Sequence, residues 1–200
     1  MANTNVAYGL QACKTSDGGL LRVNQYWAPA SLASLGIGTP VNLGGTANTA
    51  NVTNGQETPA GTMPSIVVAT SGDGNKLLGA IIGFEMDPTD LQLAGYNAAN
   101  SGRIVYVADH PEQRFTIIDD GTALAVTDIG LNANLTVGTV NAFTGLDSTT
   151  LDTSTPATDA TFQLKILSLY NSPGNTIGEA SAAYVVKINN HALANVVIGV

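Results

Sequence analysis

The side chains that could support catalysis are few in this chain. There are two histidines, His110 and His191, and a single cysteine, Cys13. A hydrolase needs a nucleophile, a base and a group that orients the base. His110 lies in a predicted loop and His191 follows a predicted strand, where ordinary polar roles are the rule. No G-x-S-x-G motif occurs, and a thiol without a nearby base is not an activated nucleophile. We therefore expect no catalytic residues, and the chain is not expected to be an enzyme.

Paired carboxylates are the strongest chemical feature of the sequence. Asp109 and Glu112 flank a short predicted loop, and Asp119 and Asp120 follow the next strand. In a glycosidase two such groups would lie on either side of the scissile sugar bond. Solvated loop carboxylates are the favoured interpretation, because sugar sites are also rich in aromatic residues. Calcium binding at Asp73 or at the Asp119–Asp120 pair does not fit the EF-hand spacing, so no metal ligands are predicted.

Glycine pairs give no sign of a cofactor. The two pairs, Gly36 with Gly38 and Gly44 with Gly45, do not connect a strand to the start of a helix. A dinucleotide or phosphate site needs that context, because the helix N-terminus holds the phosphate. No cofactor-binding residues are therefore predicted.

The charge distribution argues against nucleic acids and membranes as partners. Charged residues make up 11% of the chain and the net charge is −8. The seven basic residues are spread singly along the sequence: Lys14, Arg22, Lys76, Arg103, Arg114, Lys165 and Lys187. Binding to phosphates requires clustered cations, and an anionic membrane surface requires the same. The low charge further suggests a surface that is partly covered by protein.

The cellular context can be inferred from the cysteine and the N-terminus. One cysteine permits no intrachain disulfide and no thiolate metal site. The opening MANTNVAYG has neither a basic region nor an apolar core of a secretory signal. No apolar run approaches the roughly 20 residues that cross a bilayer. We expect synthesis in a reducing host cytoplasm.

Short apolar or alternating runs, bounded by turn-forming residues, predict a β protein. Predicted strands are 20–28, 65–70, 77–84, 103–108, 113–118, 161–170 and 183–189. Residues 103–118 are predicted to form a hairpin around the loop from Asp109 to Glu112. Residues predicted to share one core are Phe162, Leu164, Ile166, Ile104, Tyr106, Phe115 and Ile117. No long amphipathic helix is seen, so strands should outweigh helix by about two to one.

Residues 36–64 are the least typical part of the sequence. Gly, Thr, Asn, Ala and Pro dominate, and Glu57 is the only charged residue there. Few large apolar groups are present to offset the entropy of ordering, on the order of 1–2 kcal/mol per residue. We expect an attachment arm that gains order by strand addition to a partner, and a disordered loop is the alternative. Fully extended, such an arm reaches roughly 90 Å.

The predicted elements make one domain over residues 1–200. Residues 1–64 are expected to hold one strand and the extended arm, and residues 65–200 a β-rich body. Several short strands with long connections are typical of a β-sandwich or barrel. The predicted fold is therefore all-β and jelly-roll-like, with a long Thr/Asn/Gly-rich arm or loop.

The order of several segments resembles the head-decoration, or capsid cement, proteins of phages. The segments that carry the resemblance are Tyr8-Gly9-Leu10, residues 26–30, 77–84, 103–115, 128–132, 146–150 and 186–191. The resemblance implies a β-barrel or jelly-roll module that binds the outside of a capsid lattice, often as a homotrimer, without an active site. It implies the major capsid protein as partner and the virion exterior as location.

Two other function classes remain open at this point. A receptor-binding or carbohydrate-binding virion module, such as a small fibre or lectin, would need an exposed aromatic platform. Trp27, Tyr26 and Tyr184 are in predicted strands, where packing into the core is favoured. An enzyme would need the nucleophile and base that the sequence lacks.

Overall fold

The computed structural model of the chain describes residues 3, 6–15, 18–53, 57–86, 95–154 and 156–194. Within these residues the regular elements are almost entirely strands. They are β1 (Gln11–Thr15), β2 (Asn24–Ala28), β3 (Pro40–Ala47), β4 (Val52–Thr53), β5 (Glu57–Thr58), β6 (Pro64–Val68), β7 (Gly79–Phe84), β8 (Arg103–Ala108), β9 (Gln113–Ile118), β10 (Asn132–Ala133), β11 (Leu135–Thr136), β12 (Thr150–Leu151), β13 (Leu164–Leu169) and β14 (Ala183–Ile188). The described helix is a single 3-10 turn, Val126–Asp128.

Five strands close into a barrel in the order β2-β6-β3-β7-β8. Neighbouring strands are antiparallel, except that β2 and β6 meet in parallel at Trp27 and Ser65. Alternate side chains of a strand point to opposite faces, so every second residue enters the barrel. The core of the barrel contains Tyr26, Val41, Ile66, Ile81, Val105 and Val107.

A five-stranded antiparallel sheet, in the order β1-β9-β14-β13-β10, forms the second layer. Its inner face aligns Phe115, Val186 and Ile166 across three neighbouring strands, and all three are fully buried. Two small ladders complete the described structure, β4 with β5 and β11 with β12.

The barrel and the sheet share one core. Leu77, Ala80 and Ala108 of the barrel side pack in the same buried cluster as Leu10 and Phe115 of the sheet side. Backbone hydrogen bonds join the layers as well. The Leu77 N–H donates to the Asn190 carbonyl at 3.0 Å, and the Ala192 N–H donates to the Leu77 carbonyl at 2.8 Å. The two layers therefore form one packed unit.

The all-β, jelly-roll-like fold class predicted from the sequence is confirmed, as is the excess of strand over helix. The predicted hairpin at 103–118 is wrong. Both strands exist with the predicted bounds, but β8 pairs with β2 and β7, whereas β9 pairs with β1 and β14. The loop from Asp109 to Glu112 is a crossover from barrel to sheet. A short loop between two apolar runs is equally compatible with both connections.

The arm predicted for residues 36–64 needs correction. Residues 40–47 form β3, which is hydrogen-bonded to β6 on one side and to β7 on the other. Residues 1–64 thus contribute β1, β2, β3 and two short strands rather than one strand and an arm. Small side chains make this possible, since a Cβ on Gly44 would lie 2.6 Å from the Ser65 hydroxyl oxygen.

The excursion between β3 and β6 is a closed loop rather than an extended arm. Buried Asn48 fastens its two ends, because the Asn48 N–H donates to the Met63 carbonyl and the Met63 N–H donates to Asn48 Oδ1, both at 3.0 Å. Asn48 Nδ2 also donates to the Pro59 carbonyl at 2.8 Å. Backbone and amide hydrogen bonds thus add to the few apolar contacts of the segment, those of Val52 and Met63.

Part of the predicted core is also confirmed and part is wrong. Leu164, Ile166, Phe115 and Ile117 share one buried cluster. Phe162 precedes β13 and is only half-buried. The other two predicted core residues, Ile104 and Tyr106, lie in β8 on the face that points away from the barrel core. Ile104 packs with Val52 and Met63 outside the barrel, and Tyr106 donates from its hydroxyl to the Glu85 carboxylate. β8 is apolar on both faces, so its phase is not readable from sequence.

No helix among the described residues is long and apolar enough to cross a membrane.

We expect Gly79→Ala to destabilise the protein by about 3 kcal/mol or more, because the new methyl group would force β7 and β8 apart. A Cβ on Gly79 would lie 2.0 Å from the Ala108 carbonyl oxygen. Gly83→Ala, in the same strand, is the matched control. Its Cβ would meet the Tyr106 ring at 3.7 Å, so its effect should stay below about 1 kcal/mol. Urea unfolding measures both, and equal midpoints would contradict the close approach.

Candidate functional site

Asp109, one of the predicted chemical residues, is committed to structure. It directly follows β8 and is 4% exposed. Asn24 Nδ2 donates to both carboxylate oxygens, at 3.0 and 2.8 Å, and the Tyr26 hydroxyl donates to Oδ2 at 2.6 Å. Burial, reinforced by the carboxylate, raises the pKa of Tyr26 well above its usual value, so the phenol stays protonated as a donor. The cluster fastens β2 to the end of β8.

The two histidines lie near this cluster without forming a catalytic arrangement. His191 is 3% exposed, and its Nδ1 accepts from the Leu193 N–H at 3.0 Å. Burial lowers the pKa of His191, and the negative charge of Asp109 acts in the opposite direction. His110 is half-buried, and its Nδ1 accepts from the Glu112 N–H at 3.2 Å. The fold thus brings distant residues together, but His191 and Asp109 are too deeply buried to meet a substrate.

The carboxylates considered as a glycosidase pair do not face a common space. Asp109 points towards β2, whereas Glu112 forms an ion pair with Lys187 of β14. A glycosidase requires both groups on either side of one bound sugar. This pair therefore has no geometry for glycoside cleavage.

Asp119 and Asp120 serve as hydrogen-bond acceptors at the end of β9. Asp119 is buried and accepts from the backbone N–H groups of Gly121, Ser181 and Ala182, at 3.0, 2.8 and 2.9 Å. Burial raises the pKa of Asp119, although these three donors act against the rise. Asp120 is exposed and accepts from the Thr153 hydroxyl at 2.8 Å. Both residues hold turns in place.

The described residues contain no group of three or more His, Cys, Asp or Glu side chains that could hold a metal ion. Asp73 Oδ1 accepts from Asn134 Nδ2 at 2.6 Å. Exposed Cys13 lies on edge strand β1, and its Sγ donates to the Arg114 carbonyl at 3.2 Å. These contacts give Asp73 and Cys13 ordinary structural roles.

Two of the three aromatic residues considered for a sugar-binding platform are buried, and the third is partly buried. Tyr184 and Tyr26 are buried, and Trp27 packs against Val52, Met63 and Ile104. Burial raises the pKa of Tyr184 to about 12. A lectin-like platform built from these three side chains is therefore not available to a ligand.

Phe143 is the most exposed large apolar side chain described, at 97%, and sequence reasoning missed it. It lies at the tip of a tight loop in which Asn141 Oδ1 accepts from the Phe143 and Thr144 N–H groups, at 2.9 and 3.3 Å. The Asn141 carbonyl also accepts from the Gly145 N–H at 2.8 Å. Asn141 and Gly145 are turn-forming residues from which the loop could have been located in the sequence, and Gly145 has a φ of +71°. They could not have shown that the ring of Phe143 is exposed.

The base of the Phe143 loop is fixed to the barrel. The Ile37 N–H donates to the Gly145 carbonyl at 2.9 Å, and the Asp147 N–H donates to the Ile37 carbonyl at 3.0 Å. Buried Asp147 accepts from the Thr39 hydroxyl at 2.9 Å and from the Thr149 N–H at 2.7 Å. A loop held at its tip and its base presents Phe143 in a defined position, which lowers the entropy cost of binding.

Other large apolar side chains project from irregular segments of the described chain. Leu20 is 91% exposed, and Val6, Val126 and Met86 are also largely exposed. Single exposed apolar residues are common on soluble proteins. A fully exposed phenylalanine on a braced loop is less ordinary, because aromatic side chains are the usual anchors of protein interfaces.

No protein-family model, curated protein or solved structure matches the chain.

We expect the stability of the protein to decrease as the pH falls from about 7 towards 5. The folded-state pKa of His191 is lowered by burial, so the unfolded state binds more protons below the ordinary pKa of about 6.5. The contribution of His191 to the free energy of unfolding is complete above that pKa and is lost on acidification. One proton can change the free energy of unfolding by at most about 1.4 kcal/mol per pH unit.

His191→Asn provides the control, since Asn can accept from the Leu193 N–H but does not titrate. Urea unfolding at several pH values should give a shallower pH dependence for this variant between 7 and 5. Asp119 acts in the opposite sense, because its raised folded pKa favours the folded state at low pH. Equal slopes for wild type and His191→Asn would show that folding does not lower the pKa of His191.

Proposed function

We propose that this chain is a structural virion protein that binds the outside of a phage capsid lattice and stabilises the shell. The supporting observation is the braced Phe143 loop, which offers an exposed aromatic anchor at 97% exposure. The resemblance to head-decoration proteins supplies the capsid as the partner. The buried roles of Asp109, Asp119 and His191 are consistent with a protein that acts through its surface.

A virion module that binds carbohydrate or a receptor is the alternative. It is less well supported, because Tyr26 and Tyr184 are buried and Trp27 is partly covered by Val52, Met63 and Ile104. In the described loop, the side chain that contacts the Phe143 backbone belongs to Asn141 and is not aromatic. A lone anchor of this kind suits an apolar pocket on a protein better than the face of a sugar ring.

Phe143→Ala should weaken binding to the shell at least tenfold, since aromatic anchors at the centre of an interface contribute about 2 kcal/mol or more. Purified heads would first be stripped of this chain with a chaotrope, which we expect to release it before the shell opens. Rebinding of wild type and variant is then measured by co-sedimentation. The thermal stability of the variant should be unchanged, because the side chain makes few contacts in the free protein.

Val126→Ala is the matched control, since Val126 is another exposed apolar residue, at 70% exposure, on a different turn. It should rebind like wild type. Unchanged binding of Phe143→Ala would exclude the loop as the anchor. Heads whose mass-spectrometric composition lacks the chain, or that never rebind it, would contradict the capsid function itself.

We also expect the free protein to form a homotrimer. Cyclic symmetry is the usual arrangement of homo-oligomers, and a surface with 11% charged residues suits burial against copies of itself. Light scattering coupled to size-exclusion chromatography at high micromolar concentration would measure the mass. A monomer mass throughout would contradict a trimer that forms before the shell is bound.

A further inference from the structure

The pairing of the strands brings isolated basic residues of the sequence into one row. Lys165 of β13 lies opposite Lys187 of β14, and Lys187 lies opposite Arg114 of β9. Residues directly opposite each other in a sheet point to the same face. The neighbouring inner row, Phe115, Val186 and Ile166, faces the core, so the basic row is on the outer face. We call Lys165, Lys187 and Arg114 the basic row.

Lys14 extends the basic row to the edge of the sheet. It lies in β1, where the register with β9 shifts between Ala12 and Thr15, opposite the position of Arg114. Lys14 and Arg114 line the same cleft. Four of the seven basic residues of a chain with net charge −8 are therefore on one sheet surface. The cations that are spread singly along the sequence are therefore clustered in three dimensions, because residues as distant in sequence as Lys14 and Arg114 become neighbours across strands.

A cleft beside the basic row gives the charged surface a shape. Its volume is about 410 Å³, and its lining includes Lys14, Arg114, Val185, Leu169 and Tyr170. A second cleft of about 410 Å³ shares Tyr170 and continues past Thr116 and Gln11. Cations at one side and apolar groups along the floor suit a ligand that carries both carboxylates and small apolar side chains.

Glu112 already shows that the basic row accepts a carboxylate. Its side chain, from the crossover between β8 and β9, forms an ion pair with Lys187. The Lys187 side chain is 28% exposed and the Glu112 side chain is 48% exposed, so the ion pair is accessible to solvent. Exposed ion pairs contribute only about 0–1 kcal/mol, and a ligand with several carboxylates can therefore displace Glu112.

We propose that the outer face of the five-stranded sheet binds an extended, acidic segment of a partner protein. Neighbouring strands are roughly 4.8 Å apart, and alternate side chains of an extended peptide are roughly 6.7 Å apart. Long Lys and Arg side chains absorb that difference, so carboxylates at alternate positions can each reach a cation. This inference rests on the proposed function, in that it takes the partner to be a protein.

A short acidic peptide fits this face better than a nucleic acid does. Binding to nucleic acid depends on many phosphate contacts. The basic row and Lys14 together offer four cations, on a chain that carries fifteen carboxylates. A long phosphate backbone needs more cations than this face provides. A peptide can confine its charge to the row, and the positive field there steers it to the site.

The test uses a fluorescent twelve-residue peptide in which Asp alternates with Val, and fluorescence anisotropy with the full chain. Its matched control has Asn in place of every Asp. We expect the acidic peptide to bind, with affinity that falls as salt rises, and the Asn peptide to bind at least tenfold more weakly. Equal binding of the two peptides, or no binding of either, would overturn the proposal.

Variants locate the site. Lys165→Gln combined with Lys187→Gln should weaken peptide binding at least tenfold, whereas Lys76→Gln, a basic residue outside the basic row, should change it less than twofold. Glu112→Gln should strengthen binding a few-fold, because it removes the competing carboxylate. Unfolding midpoints confirm that each variant is folded. Unaffected binding by the double variant, or tighter binding of a twelve-nucleotide single-stranded DNA than of the peptide, would overturn the proposal.

The shell experiment separates this inference from the proposed function. If wild type rebinds stripped heads while the acidic peptide does not bind, the capsid function holds and the acidic segment is wrong. If the peptide binds through the basic row but heads do not rebind the chain, the face binds acidic segments and the capsid is not the partner.

Discussion

The shared core of barrel and sheet is the constraint on which the rest of the structure depends. The crossover from Asp109 to Glu112 is only four residues long, so the end of β8 and the start of β9 must lie close together. Gly79 of β7 lies close to the Ala108 carbonyl at the end of β8, just before this crossover. Buried Leu77 joins the two layers through backbone hydrogen bonds with Asn190 and Ala192, in the segment that contains His191.

The same constraint explains why Asp109 has a structural role. Strands that end at the junction leave backbone groups and polar side chains without solvent, and buried polar groups must find partners. Asp109 meets Asn24 and Tyr26, and Asp119 meets three backbone N–H groups. Replacing either carboxylate with an apolar side chain would leave those donors unsatisfied, a cost of about 1–3 kcal/mol for each.

Function is consequently assigned to the surface, where two features differ in physical character. The Phe143 loop is a small apolar projection, which suits a pocket and contributes through desolvation. The basic row is a shallow charged face with a cleft beside it, which contributes orientation and association rate more than affinity. A protein with both can dock by charge and then anchor by burial, two footholds that act at a high effective concentration.

The sequence by itself determined the fold class and seven of the fourteen described strands, because alternation and β-branched runs between turn formers are local properties. β8 and β9 appear with the predicted bounds. Tertiary structure alone decided which strands pair: the same local pattern that predicts a hairpin at 103–118 is satisfied by a crossover. It also decided the place of residues 40–47, whose small side chains give no apolar signal yet fit a barrel strand through hydrogen bonds on both sides.

The candidate surfaces follow the same division. The sequence gives seven scattered cations and four phenylalanines, but the register across three strands aligns Lys165, Lys187 and Arg114, and packing leaves Phe143 outside. Register and exposure are set by contacts between distant residues, which no local pattern encodes.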